Sequence, residues 1–263
     1  MLIGKPGAAR TAIASASPDK ILVRGRDLAA DLMGRTSFTE YVYFLAAGRP
    51  ATDDERFFLD LSLVALAEHG LTPSVQAARM TLAADPAALQ GAVAAGVLGC
   101  GTVILGAADL CRSLLDDVLK RAGSSSIEAA AMEVARDYRA ARRPIPGYGH
   151  PLHKPVDPRA ERMIALARER GVAGRAVETA GALAHAVAEV WGKPLPMNVS
   201  MSIAATLVDV GVPPALIRAV PILARTAGLI AHLIEEQETP IGFVLASKGE
   251  AAIDHSPAEG AGV

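Results

Sequence analysis

The chain has 263 residues, of which 51% are hydrophobic and only 4% aromatic, and its formal net charge is −2. This length allows one large or two modest domains with a real core. Alanine and leucine supply most of the apolar content, which favours packed helices over sheets. No basic surplus points to nucleic acid or to an anionic membrane, so we expect a soluble helical protein that binds neither.

Two cysteines, Cys100 and Cys111, are too few for a disulfide scaffold or a zinc site. We predict buried free thiols in a reducing cytoplasm, and the first ten residues lack the apolar core of a signal peptide. The histidines are not spaced as a ligand set, and no Gly-x-x-x-x-Gly-Lys phosphate loop occurs. We therefore expect neither a bound metal nor activation by ATP within this chain.

The predicted elements begin with a short strand and turn over residues 21–27. Two helix starts follow, where Ser37 with Glu40 and Thr52 with Glu55 have the spacing of a capping box. Apolar periodicity then predicts helices over residues 73–84, 85–119 (broken among its glycines), 126–141, 159–170, 174–191, 200–210 and 214–235. There is no repeat and no strand–helix alternation, which argues against a Rossmann or barrel fold.

Two apolar runs, residues 92–110 and 219–234, are long enough to require a comparison with membrane spans. The first carries Asp109, and the second carries Arg225 and His232. Because ionisable groups are costly inside a bilayer, both runs fit buried helices of a large helical protein better.

The most informative segment is residues 147–159, here called the signature loop, which reads Gly-Tyr-Gly-His-Pro-Leu-His-Lys-Pro-Val-Asp-Pro-Arg. Its prolines block regular helix and its glycines permit close backbone approach, so it is predicted to present polar groups from a loop. A histidine can hydrogen-bond a carbonyl, and an arginine can fork onto a carboxylate. This composition suits an anionic keto acid or its thioester as substrate.

The signature loop resembles that of the citrate synthase superfamily, where a Gly-aromatic-Gly-His run leads into Asp-Pro-Arg. Other segments resemble the same superfamily in the same order, namely residues 22–25, 37–38, 45–50, 67–69, 196–199 and 224–232. The chain is short for a citrate synthase. It looks more like the small citryl-CoA lyase-type proteins, which are similar to the C-terminal part of ATP-citrate lyase.

The resemblance implies an all-α protein with the citrate synthase fold, assembled as a homodimer. Residues 1–106 and 208–263 would form a large helical domain, and residues 107–207 a smaller helical domain. The active site would lie in the cleft between them, where closure excludes water. The implied ligands are a dicarboxylate or tricarboxylate and a coenzyme A thioester.

The resemblance also implies roles for individual residues. His150 would hydrogen-bond the keto or hydroxyl oxygen of oxaloacetate or of a citryl group. Arg159 and Arg225 would each pair with a substrate carboxylate, and for either one a structural salt bridge is the alternative. His69 and Asn198 would contribute to substrate binding.

Two positions depart from the family pattern. Ser200 stands where citrate synthases have the catalytic aspartate, and Leu105 stands about where they have a second catalytic histidine. Ser200 is the catalytic position by this resemblance, but a serine hydroxyl cannot act as a base at neutral pH without an activator. Asp109 and His153 are candidate replacements on sequence proximity alone. Lys154 matches a position near the coenzyme A phosphates, and a solvated surface lysine is an equal alternative.

Three functions remain open at this point. The first is a citryl-CoA lyase-like enzyme acting on a β-hydroxyacyl-CoA, and the second is a citrate synthase-like acyltransferase that uses a different acyl-CoA or keto acid. The third is a non-catalytic homologue that binds a dicarboxylate or a CoA thioester.

Overall fold

The computed structural model describes residues 9–123, 126–254 and 256. A small antiparallel sheet of β1 (Ala14–Ala16), β2 (Ile21–Val23) and β3 (Arg26–Asp27) precedes a π-helical turn, Leu28–Leu32. The α-helices in this part of the chain are α1 (Phe38–Ala47), α2 (Asp53–Ala67), α3 (Pro73–Ala84), α4 (Leu89–Leu105), α5 (Ala107–Ala122), α6 (Ile127–Ala140), α7 (Pro158–Glu169), α8 (Arg175–Trp191), α9 (Val199–Asp209), α10 (Pro214–Glu238) and α11 (Gly242–Ala251). The helical fold class is confirmed.

The helix starts follow the predicted capping chemistry. The Ser37 side chain accepts from the backbone N–H of Glu40, whose carboxylate accepts from the backbone N–H of Ser37. Thr52 and Glu55 form the same reciprocal pair at the start of α2. Each pair satisfies two N–H groups that have no partner inside the helix, which fixes where α1 and α2 begin.

The predicted helix over residues 85–119 is divided by its glycines. Gly101 has φ 55° and ψ −170°, which is not helical, and it kinks α4. A new helix, α5, then begins at Ala107. α11 was not predicted from the sequence, because this short helix has glycine at two positions and no side-chain cap at its start.

Apolar side chains are buried in several clusters. The largest one joins α5, α6, α8 and α9 with the start of the signature loop. All of its buried members fall within residues 107–207, the range predicted for the small domain, whereas a second cluster joins α1, α2, α7 and α9 with the start of α10. The exact division into two domains stays a prediction. Cys100 and Cys111 are free and buried, as predicted.

The two long apolar stretches are less buried than predicted. By length and composition, Leu89–Ala122 and Pro214–Glu238 are each sufficient to cross a membrane. α10 packs Leu229 and Leu233 into the core, but Leu98 and Val103 of α4 are 80% and 85% exposed. The prediction of a buried helix is therefore wrong for α4 in the single chain. The buried residues of α4 are few and small, Ala92, Gly96 and Cys100, so the rest of its surface stays uncovered.

Two glycines bring the segments of the site together. A Cβ on Gly228 of α10 would lie 1.9 Å from the backbone oxygen of Ala67, at the end of α2. Gly147 has φ +84°, and its Cβ would lie 2.7 Å from the Cβ of Met201. Larger residues would clash at both places, so these glycines allow α10 to pack on α2 and the signature loop to pack on α9.

Candidate functional site

Three histidines from two distant segments come together. His69 follows α2, and His150 and His153 belong to the signature loop. The rings of His150 and His153 stack with centroids 4.3 Å apart, and the ring of His69 lies 5.8 Å and 5.9 Å from them. One side-chain nitrogen from each residue lies within 4.8 Å of the others. The fold thus forms a histidine cluster that the sequence spacing did not indicate.

The proton on His150 is placed by the backbone of the signature loop. Its Nδ1 accepts from the backbone N–H of Leu152 at 3.1 Å and of His153 at 3.0 Å. A neutral imidazole has one protonated nitrogen and one acceptor, so the proton of neutral His150 belongs on Nε2. Nε2 is therefore available as a hydrogen-bond donor.

Burial and nearby charge keep two histidines of this cluster, His150 and His69, neutral. Burial lowers the pKa of His150, and the neighbouring His153 and Arg159 lower it further. Burial also lowers the pKa of His69, with added contributions from Arg159, His153 and Arg225. Both histidines are thus uncharged at neutral pH, the form that donates to a carbonyl or retains a lone pair for a hydroxyl proton.

The cluster suits a hydrogen-bonded oxygen better than a metal ion. A cation needs a lone pair from each histidine, with the second ring nitrogen as a donor. Nδ1 of His150 is taken by two N–H donors, and Nε2 carries the proton. His150 in this tautomer therefore has no lone pair to offer a metal ion.

Arg159 forms a structural salt bridge, which is one of the two alternatives predicted for it. Its Nε and Nη2 donate to the buried carboxylate of Asp157 at 3.0 Å and 2.9 Å. Asp157 also accepts from the backbone N–H of Val199 at 3.1 Å, which links α7 to α9. Burial alone would raise the pKa of Asp157, but the bonds from Arg159 outweigh it and the pKa is lowered. Nη1 of Arg159 makes no hydrogen bond within the described residues and remains available to a ligand.

Arg225 has no such partner. Its side chain is on α10, the residue is only 8% exposed, and its Nη1 is buried without a hydrogen-bond partner in the described part of the chain. Its charge contributes to the lowered pKa of His69, so the guanidinium lies close to the histidine cluster. A buried guanidinium without a partner is costly, so this position suits an anionic ligand.

Asn198 holds the neighbouring segments in place. Its Oδ1 accepts from the backbone N–H groups of Ser200 and Met201 at the start of α9, and its Nδ2 donates to the backbone oxygen of Gly149 at 3.3 Å. The loop and the segment before α9 also pair through their backbones at Tyr148 and Met197. These bonds give Asn198 a positioning role beside His150, and its direct contact with substrate stays a prediction.

The remaining candidate residues make few contacts or lie outside the histidine cluster. Ser200 is half-buried on the first turn of α9, and no described residue hydrogen-bonds its hydroxyl. Lys154 is exposed and makes no ion pair with the described residues. Asp109 pairs with Arg112 at 3.1 Å and is not part of the histidine cluster. The roles predicted for Ser200 and Lys154 remain predictions.

One polar network was not recognised in the sequence. The buried Arg79 of α3 donates to Glu235 and Glu236 of α10 at 2.6 Å each, and it also contacts Nδ1 of His232 at 3.3 Å. Nε2 of His232 lies 3.0 Å from Glu68, although the direction of approach is not that of a hydrogen bond. The network ties α10 and α3 to the residue preceding His69.

Residues 48–242 match the family described as the citrate synthase C-terminal domain. The chain belongs to the citrate synthase family. This family member is similar to citryl-CoA lyase from Hydrogenobacter thermophilus, with a TM-score of 0.84, 28% sequence identity and coverage of 98% of both chains. The recognition from sequence motifs is thereby confirmed.

Two further structures share the fold of this citrate synthase family member. ATP citrate lyase from Methanothrix soehngenii, in complex with citrate and coenzyme A, has a TM-score of 0.77 and 21% identity over 98% of this chain and 43% of its own. Citrate synthase from Thermoplasma acidophilum, with carboxymethyl coenzyme A and oxaloacetate, has a TM-score of 0.64 and 22% identity over 77% of this chain and 54% of its own. No curated protein matches the chain.

Proposed function

We propose that this protein cleaves the carbon–carbon bond of a β-hydroxyacyl-CoA such as citryl-CoA, releasing acetyl-CoA and oxaloacetate. The observation that carries the proposal is that the site offers two groups. One is a hydrogen-bond donor of fixed tautomer on His150, and the other is the guanidinium of Arg225, which has no ion-pair partner among the described residues. Nε2 of His150 offers its proton within the histidine cluster, and the buried Arg225, whose charge acts on His69 of that cluster, has an Nη1 with no partner among the described residues. A keto acid or its hydroxyl adduct supplies an oxygen for the first and a carboxylate for the second.

Different histidines of the cluster carry out different steps of the reaction. In cleavage, the citryl hydroxyl loses its proton, its oxygen becomes the keto oxygen of oxaloacetate, and the electron pair of the broken bond passes to the acetyl-CoA enolate. His150 stabilises the negative charge on that oxygen as a donor. His69 or His153 accepts the hydroxyl proton, since the tautomer of His150 leaves it no lone pair at Nε2.

The enolate must then take up a proton on carbon. Ser200 occupies the position where citrate synthases have a carboxylate, and its hydroxyl can relay a proton from water. Without a charged partner this relay is slow, so we expect a low turnover number.

The exposed apolar surface of α4 supports a homodimer. Leu98, Val103 and Leu110 are each more than half exposed and lie on α4 and the first turn of α5. Burying such side chains against a second copy would remove apolar area from water. We propose a homodimer through this surface.

A second function is favoured by one specific observation. Ser200 and Leu105 remove both the carboxylate and the additional histidine that citrate synthases use. A protein that retains His150, Arg225 and Arg159 but lacks a proton donor would bind a dicarboxylate or a CoA thioester without turnover. An acyltransferase with a different acyl-CoA or keto acid has no observation here that favours it over cleavage.

An assay of both directions tests the proposal. Purified protein is given citryl-CoA in one reaction and acetyl-CoA with oxaloacetate in another, and free CoA, acetyl-CoA and keto acid are measured. Formation of acetyl-CoA and oxaloacetate in equal amounts supports the lyase. Binding of oxaloacetate with no turnover in either reaction would assign the second function.

A further inference from the structure

The polar network at the end of α2 contains a histidine that the mechanism proposed above does not use. His232 lies on α10, and only 14% of its side chain is exposed. Its Nδ1 lies 3.3 Å from Nη1 of the buried Arg79, and its Nε2 lies 3.0 Å from Oε2 of Glu68. Glu68 directly precedes His69 in the chain. A single side chain therefore separates His232 from the segment that carries a member of the histidine cluster.

The proton of neutral His232 is placed by Arg79. A guanidinium can only donate hydrogen bonds, so Nδ1 of His232 is the acceptor in their contact. The proton of the neutral ring then belongs on Nε2, the nitrogen that faces Glu68. Arg79 is itself held in place, because it is buried and donates to Glu235 and Glu236. His232 thus presents a protonated nitrogen to Glu68 from a ring that is held on its other side.

The two carboxylate oxygens of Glu68 have different partners. Oε2 faces His232, and Oε1 accepts from the backbone N–H of Gly70 at 2.5 Å. Burial alone would raise the pKa of Glu68, but His232 and the backbone N–H groups of Gly70 and His69 outweigh it, and the pKa is lowered. The ionised carboxylate therefore joins α10 to the turn that carries His69.

The segment around His69 has no helix of its own to hold it. α2 ends at Ala67, and Glu68 is extended, with φ −128° and ψ 140°. The Glu68 side chain is 51% exposed, so without a partner it would keep its rotamer freedom in water. With Oε2 held by His232, Oε1 stays on the N–H of Gly70 and fixes the backbone on both sides of His69.

One face of α10 carries both His232 and the arginine proposed to bind substrate. Arg225, Gly228 and His232 are three and four residues apart, which places them on the same side of a helix. This side meets the end of α2, since a Cβ on Gly228 would lie 1.9 Å from the backbone oxygen of Ala67. The same surface of α10 thus supplies a cation to the site and holds the segment of His69.

We propose that His232 is a positioning residue, which holds the carboxylate of Glu68 and thereby keeps the ring of His69 in the histidine cluster. It acts on the reaction only through these two residues. Its effect on substrate binding rests on the proposed function, whereas the position of His69 is a property of the protein without ligand. The two are therefore measured separately.

The titration of His69 reports where its ring lies. Burial lowers its pKa from 6.5, the charges of Arg159, His153 and Arg225 lower it further, and Asp157 acts in the opposite direction. A ring that leaves the cluster should therefore titrate closer to 6.5. The measurement is ¹⁵N NMR of histidine-labelled protein without ligand. Of the six histidines, His69 is assigned by the signal that is absent from His69→Gln.

Two polar variants separate the two contacts of His232. The amide of His232→Gln reaches about as far as Nε2 and retains a donor for Glu68. The amide of His232→Asn ends near the place of Nδ1 and retains only the contact with Arg79. We expect the parent midpoint for His69 in the glutamine variant and a midpoint closer to 6.5 in the asparagine variant. Glu68→Ala should give the same shift, and combining it with His232→Asn should add nothing.

Leu233→Ala is the control for a general loss of packing. Leu233 follows His232 on α10 but is buried against α3 and α4, so this change weakens the same helix without touching Glu68. It should lower the thermal midpoint and leave the titration of His69 unchanged. An equal shift in Leu233→Ala, or equal His69 midpoints in the glutamine and asparagine variants of residue 232, would overturn the proposal.

Oxaloacetate binding, measured by calorimetry, tests the part that rests on the proposed function. His232→Asn should bind about three- to tenfold more weakly than the parent protein, because the hydrogen bond from a correctly placed His69 is lost. If the parent protein does not bind oxaloacetate, or if the affinity is unchanged although His69 has shifted, the proposed role of His69 in substrate binding fails. The titration still decides whether His232 positions His69.

Discussion

The backbone N–H of His153 donates to Nδ1 of His150 at 3.0 Å, and this bond decides what His150 can do. With Nδ1 occupied, the imidazole carries its proton on Nε2 and acts as a donor rather than as a base. A residue at the centre of the signature loop is thereby assigned to stabilising an oxygen. Proton transfer falls to its neighbours.

The tautomer of His150 is a direct expectation of this bond. In ¹⁵N NMR spectra of histidine-labelled protein, Nδ1 of His150 should behave as an unprotonated acceptor and Nε2 as a protonated nitrogen. Because its pKa is lowered from the ordinary 6.5, the residue should stay neutral down to pH 6.5 and gain charge only below it. Its contribution to stability is complete above pH 6.5 and decreases as the pH falls toward the lowered folded pKa. A titration midpoint above 6.5 would contradict the assignment.

Removal of His150 should abolish turnover and leave the fold intact. The residue is only partly buried, and its loss removes one preorganised donor, which costs about 10²–10³ in rate. His150→Ala is compared with His185→Ala, which removes an exposed histidine from α8. The two variants should have similar circular dichroism and thermal midpoints, and only the first should lose cleavage of citryl-CoA. Parent-level turnover in His150→Ala would remove His150 from the mechanism.

Substitution of Arg225 should raise the stability of the protein and weaken its binding of oxaloacetate. Arg225→Met relieves a buried guanidinium that has an unpaired Nη1, so we expect urea denaturation to give an unfolding free energy higher by about 1–3 kcal/mol. The same variant should lose the thermal stabilisation that oxaloacetate gives the parent protein. Arg79→Met, which breaks a buried pair with Glu236, should instead lose about 3–5 kcal/mol. If both variants are destabilised equally, Arg225 has a structural partner and is not a ligand site.

Gly228 should not tolerate a side chain. Its Cβ would meet the backbone oxygen of Ala67 at 1.9 Å, so Gly228→Ala must push α10 away from α2. We expect a loss of about 3 kcal/mol by urea denaturation, together with weaker binding of oxaloacetate because His69 moves. Gly181→Ala is the matched change, since nothing lies within 4 Å of its Cβ on α8, and it should gain about 0.5–1 kcal/mol. Equal stability of the two variants would argue against the close contact.

A carboxylate at residue 200 should restore proton transfer at carbon. Ser200 lies on the first turn of α9, where the helix dipole favours an ionised aspartate by about 0.3–1 kcal/mol. Ser200→Asp should increase the exchange of the acetyl-CoA methyl protons with deuterium from solvent in the presence of oxaloacetate. Ser200→Asn has nearly the same size and no charge, so it is the control. Equal exchange in the two variants would mean that residue 200 does not face the acyl group.

Much of the fold was predictable because its signals are local. The capping boxes at Ser37 and Thr52 depend on residues three positions apart, and the structure confirms both. The break in the predicted helix over residues 85–119 also follows from its glycines. α11 was not predicted, because its sequence shows neither a strong apolar periodicity nor a capping side chain at its start.

The site was predictable only where motif residues carry it. The resemblance proposed His69 together with His150, Arg159 and Arg225, but periodicity could not reveal that the ring of His69 approaches the signature loop. Gly228 permits α10 to touch the end of α2, which directly precedes His69. Asp157, the partner of Arg159, lies only two residues away in the signature loop, whereas the missing partner of Arg225 depends on which helices pack together. The network of Arg79, His232 and Glu68 was hidden for the same reason.

Cleavage of citryl-CoA by the purified protein is the reaction to measure first. Purified protein is incubated with citryl-CoA, and acetyl-CoA and oxaloacetate are measured over time against His150→Ala. We predict that both products form in equal amounts with the parent protein and not with the variant. If oxaloacetate still raises the thermal midpoint of the parent protein while no acetyl-CoA forms, the lyase account is contradicted and the protein is a binding homologue.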